Sequence, residues 1–72
     1  MKYKMRIYGV DVIEYPTGNE TYVEDVATLE SNTLSDLIKE ADQAYDYCCD
    51  NFDEMIFVTI DDDGNVVVGV KR

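Results

Sequence analysis

The residues of this chain able to do chemistry are carboxylates and two adjacent thiols. Sixteen Asp and Glu stand against six Lys and Arg and no His, a formal net charge of -10 over 72 residues. The densest stretch, EADQAYDYCCDNFDE at 40–54, holds six carboxylates and no base. Within it Asp42, Asp46 and Asp50 follow at i, i+4 and i+8, so a helix would align them in one stripe with roughly 6 Å of axial rise between neighbours. Asp53 and Glu54 extend the stripe, and Asp36 and Glu40 flank it. Regularly spaced carboxylates on a rigid helix imitate a run of nucleic-acid phosphates and compete for grooves lined with Lys and Arg. Tyr47, on the polar side of the same helix wheel, adds a ring for stacking or for a cation–π contact with Arg.

Folding stability does not account for this arrangement. Like charges at i, i+4 cost about 0.2–0.5 kcal/mol per pair, and Asp36/Glu40, Asp42/Asp46 and Asp46/Asp50 are three such pairs. Acids in the last turns also oppose the negative end of the helix dipole. Lys39 is the only base close enough to relieve them. A face that served solubility alone would mix signs and place Lys near the C-terminal end. Rules broken locally without structural gain mark functional surfaces.

The usual catalytic parts are missing. With no His there is no general base near neutral pH. Cys48 falls on the apolar arc, and no imidazole is present to activate Cys49, so both read as structural. Paired carboxylates do acid–base work only when one is desolvated in a cleft, which 72 residues hardly provide. The run Asp61-Asp62-Asp63-Gly64-Asn65 invites a calcium reading, yet aligning Gly64 with the invariant EF-hand glycine puts Thr59 at the first ligand position and Val70 at the bidentate one. No phosphate-binding loop or zinc spacing is present, and so much negative charge repels nucleic acid. The expectation is a protein without enzyme activity, cofactor, metal site or direct nucleic-acid binding.

The elements that would carry the stripe follow from periodicity. Lys2 to Tyr15 reads as a strand in which Tyr3, Met5 and Ile7 alternate with Lys2, Lys4 and Arg6, and the apolar parity shifts across Gly9, predicting a bulge or bend there. Pro16-Thr17-Gly18-Asn19 is a turn leading to a second strand, roughly Glu20 to Glu30. Thr33 with Asp36 approximates a capping box, so a helix starts near Leu34. Its core arc takes Leu34, Leu37, Ile38, Ala41, Ala44, Tyr45, Cys48 and Phe52. Met55 to Ile60 and Asn65 to Val70 flank an Asp-Gly turn and form a second hairpin. The predicted fold is α+β: one domain over 1–72, ββαββ, a four-stranded mainly antiparallel sheet with one helix packed on one face. If the helix reverses direction between the hairpins, the first and last strands run the same way and the basic termini lie at opposite ends of the sheet.

The two late strands are nearly continuous in apolar residues, which leaves the second sheet face either wetted by Thr59, Gly69 and the tyrosines or in need of a partner. At 46% hydrophobic and 11% aromatic, the chain is too apolar for disorder. Cys48 and Cys49 are neighbours that cannot meet disulfide geometry without distortion, so they read as the reduced thiols of a cytoplasmic protein. No apolar run reaches signal-peptide or membrane-span length. Five of the six bases sit at the two ends, and all sixteen acids lie between them with Lys39 alone.

In length, ββαββ plan and the carboxylates Asp36, Glu40, Asp42, Asp46, Asp50, Asp53 and Glu54, the chain resembles the small acidic single-domain inhibitors encoded by phages and mobile elements. These are the anti-CRISPR proteins and DNA mimics that block host defence. The resemblance implies stoichiometric binding to a basic surface of a nuclease or effector complex, without turnover. A different class of function, an interaction or assembly module, follows from the sheet: pairing through its uncovered face or an edge strand, with a homodimer as one form.

Overall fold

A computed structural model describes residues 2–72. β1 (Tyr3–Tyr15) and β2 (Gly18–Ser31) form a long hairpin, followed by α1 (Leu34–Cys48), a 3₁₀ turn (Cys49–Asn51), β3 (Glu54–Ile60) and β4 (Val66–Lys71). The sheet order is β2-β1-β3-β4 with every pairing antiparallel, so the fold is α+β with the ββαββ order. β1 and β4 point the same way. Lys2 accordingly lies at the Asp62 end of the sheet and Arg72 at the Met55 end.

The core lies between α1 and one sheet face. Leu37 and Ala41 from the helix meet Met5 and Ile7 of β1 and Met55 and Phe57 of β3. Strand alternation explains which side chains are chosen: Met5, Ile7 and Gly9 register with Thr59, Phe57 and Met55, one face of both strands. Thr59, expected on the open face, is therefore buried beneath the helix at 1% exposure. The apolar run of β3 hides an ordinary period of two. Its other residues, Ile56, Val58 and Ile60, are half-buried on the opposite face.

Gly9 has a different cause from the one its sequence suggests. The register shift lies between Ile7 and Tyr8, where Val26 of β2 is the residue without a partner, so the bulge is in β2 and Gly9 stays in register. A side chain at position 9 would place its Cβ 2.4 Å from the Phe52 ring. Phe52 itself is extended beyond the 3₁₀ turn, and it reaches the core as the lead-in to β3, not as part of the helix.

The predicted capping box does not form. Thr33 is extended at the N-cap position with no side-chain cap; Ser31 Oγ instead accepts from the Thr33 N–H at 3.2 Å. The Asp-Gly turn is as expected, with Gly64 at φ +82°. There Asp61 Oδ1 accepts from the N–H groups of Asp63 and Asn65, at 2.9 and 3.0 Å. β1 pairs with β3 only as far as Val10, so the tip of the β1–β2 hairpin projects past the core and the Cα envelope is 48 × 25 × 15 Å.

Candidate functional site

Burial of Leu37 and Ala41 sets the orientation of α1 and turns Asp36, Glu40, Asp42, Asp46 and Tyr47 outward. Tyr47 is 88% exposed, more than any other large hydrophobic side chain among the described residues. The α-helix ends at Cys48, and Asp50 sits in the 3₁₀ turn. Three residues per turn replace 3.6 there, so the stripe bends at its C-terminal end. Cys49 Sγ lies 3.9 Å from both the Asp46 carbonyl and Asp50 Oδ1, a weak S–H contact that ties the turn to the helix.

The predicted carboxylates divide by what they touch. Asp42 pairs with Arg72 at 2.9 Å, and the same guanidinium lies 5.3 Å from the Tyr45 ring centroid and 5.9 Å from that of Phe57. This contact docks the helix on the end of β4. Asp53 accepts from the Val12 N–H at 2.9 Å while its own N–H donates to Asp11 at 3.3 Å, continuing the β1 edge beyond its pairing with β3. Glu54 pairs with Lys71 at 3.4 Å across β3 and β4. These three acids are engaged in contacts within the chain. Asp36, Glu40, Asp46 and Asp50 are exposed, and none of the ion pairs among the described residues engages them. The free carboxylates and Tyr47 make one negative surface around α1 and the 3₁₀ turn.

The sheet's other face carries bases and acids together, with Glu30 in register with Lys4, Asp25 with Tyr8 and Glu54 with Val10. Lys4 and Arg6 alternate with Met5 and Ile7, and Lys71 registers with Ile56, so these bases frame the half-buried Tyr8, Ile56, Val58 and Ile60. Lys2 and Lys4 hold Glu30 at 3.0 and 3.6 Å. The hydrogen bond and charge of Lys2, aided by Lys4, hold the Glu30 carboxyl below its ordinary range. At the hairpin tip the Tyr22 hydroxyl donates to Glu20, and that bond, with a smaller one to Tyr15, pushes the phenol pKa up.

Sequence reasoning missed Arg72 as the partner of Asp42. The signal was weak: a cation after the last strand and rings at Tyr45 and Phe57, with no local spacing to join them. It also missed that Lys4, Arg6 and Lys71, from the two ends of the chain, share one sheet face while Arg72 turns to the helix side, which the strand register reveals. Among the described residues no group of three or more His, Cys, Asp or Glu is placed to hold a metal ion, and both cysteines are free thiols. Among the described residues no helix is long and apolar enough to cross a membrane. Comparison with protein-family models, curated proteins and solved structures gave no significant match.

Proposed function

We propose that this chain is a non-catalytic, cytoplasmic binding protein. Its α1 surface occupies a basic, nucleic-acid-binding groove of another protein and blocks it, in the manner of the DNA-mimic and anti-CRISPR inhibitors of phages and mobile elements. The observation that carries the reading is the set Asp36, Glu40, Asp46 and Asp50, exposed and outside the ion pairs among the described residues, around an 88% exposed Tyr47. A polar helix of purely structural use would recruit the chain's bases to these acids. Here Arg72 goes to Asp42, and Lys2, Lys4 and Lys71 go to Glu30 and Glu54.

The partner's chemistry follows. Lys and Arg spaced for phosphates meet the carboxylates, and an Arg stacks on Tyr47. Binding of this kind is steered by charge and weakens as salt screens it. The test is capture of proteins from a bacterial lysate with the wild type and with D36N/E40Q/D46N/D50N, eluting with salt or with duplex DNA. Nucleic-acid-binding proteins held by the wild type alone, and displaced by DNA, are the expected result. An identical catch from both baits would reject the proposal.

A further inference from the structure

We propose that the free edge of β4 is a self-association surface, on which a second copy of this chain adds its own β4 antiparallel about a two-fold axis near Gly69. This inference is independent of the acidic α1 surface. Its starting point is the unequal treatment of the two sheet edges. Proteins protect an exposed edge by placing charges along it. β2 carries Glu20, Glu24, Asp25 and Glu30, whereas β4 carries no charge from Val66 to Val70. Val66, Val67, Val68 and Val70 are 67, 42, 38 and 40% exposed.

The free main-chain groups can be assigned. Met55 and Arg72 exchange both hydrogen bonds, Met55 N–H to the Arg72 carbonyl at 2.7 Å and Arg72 N–H to the Met55 carbonyl at 2.8 Å. Antiparallel bonding alternates, so Val70 and Val68 also bond inward to Phe57 and Thr59, while Lys71 and Gly69 direct their N–H and C=O to the open edge. Gly69 faced by its own copy puts Val68 of each chain opposite Val70 of the other. Beside them α1 leaves an apolar groove of about 190 Å³, lined by Ile38, Phe57, Val68 and Val70 among others, with Ile38 53% exposed. Two such grooves meet across the axis and bury one another.

Charge selects a second copy and its direction. One end of β4 follows the turn Asp61-Asp62-Asp63 and the other carries Lys71 and Arg72. Antiparallel pairing brings the bases of each copy to the acidic turn of the other, whereas parallel pairing opposes like ends. Lys71 and Arg72 each hold one internal carboxylate and keep further N–H donors, with side chains 64 and 42% exposed.

The test is sedimentation equilibrium of the full chain over a dilution series at low and high salt, with amide exchange followed by NMR. The mass of two chains at high concentration is expected, together with slow exchange of the Gly69 and Lys71 amides that becomes fast on dilution. V67K and G69P should both sediment as one chain with unchanged circular dichroism, because neither removes a bond to β3. A wild type with the mass of one chain at every concentration overturns the proposal. So does a two-chain mass with freely exchanging Gly69 and Lys71 amides, a dimer that persists in both variants, or open-ended assembly through β4 and β2. Failure here leaves the lysate capture untouched, since that experiment reads Asp36, Glu40, Asp46 and Asp50.

Discussion

Gly9 in β1 and Gly69 in β4 belong to one sheet, with β3 between them, and have opposite tolerances. A Cβ at Gly9 would overlap the Phe52 ring, while at Gly69 nothing lies within 4 Å. G9A should cost about 1–3 kcal/mol through overpacking, and G69A should stay within about 0.5 kcal/mol of the wild type. Thermal denaturation of both variants separates them, since each kcal/mol moves the midpoint of a domain this small by about 4–8 °C. Equal midpoints would mean that Phe52 yields freely. The sequence marks Gly9 as unusual through the parity shift, but it cannot show that the cause is a ring forty-three residues away, because a contact of that separation leaves no local pattern. Glu30 is the second residue with a definite consequence. Its carboxyl titrates below the ordinary 4.5 because Lys2 and Lys4 favour the charged form. A depressed folded-state pKa contributes stability that is fully present above the unfolded value and is lost as pH falls through the folded one. An NMR titration should find the Glu30 midpoint lowest in the wild type and restored in K2M/K4M. A midpoint still depressed in that variant would assign the effect elsewhere.

α1 was legible in its first turns and less so at its end. Leu37 and Ala41 fall where a 3.6-residue period puts the core, and L37A, at a side chain with 0% exposure, should cost about 2–5 kcal/mol and unfold a large share of the chains. Urea denaturation reads that loss directly, and a near-normal midpoint would contradict the core described above. Past Cys48 the apolar arc still points to Phe52, yet the backbone has already left the α-helix. Periodicity records which residues face the core and not the path the chain takes between them. The same limit applied to β3, where an unbroken apolar spelling concealed alternating burial, and to Thr33, whose capping pattern gave way to a Ser31 bond. The β1–β2 arm depends on Asp53. Replacing it by Ala removes the acceptor for the Val12 N–H and should speed exchange of that amide with a loss of about 1 kcal/mol. Unchanged exchange at Val12 would show that the arm is held by its β2 pairing alone.

At the scale of the molecule the charges are sorted twice. Along the sequence the bases sit at the ends and the acids between them; in three dimensions Lys4, Arg6 and Lys71 gather on the open sheet face, and the free acids gather around α1 and the 3₁₀ turn. The first sorting is visible in the spelling. The second needs the strand register, which puts Lys4, Arg6 and Lys71 on one face of the sheet while Arg72 turns to the helix on the other. The candidate surface was therefore half legible: Asp36, Glu40, Asp46, Tyr47 and Asp50 could be chosen from spacing, whereas only the fold reveals that Asp42, Asp53 and Glu54 serve contacts within the chain. That division sharpens the decisive comparison. Lysate proteins retained by the wild type and by D36N/E40Q/D46N/D50N should differ by a set of nucleic-acid-binding proteins that salt and duplex DNA release from the wild type. Should the neutralised variant retain the same proteins with the same salt dependence, the α1 carboxylates are only a solvated face and the proposed function is wrong.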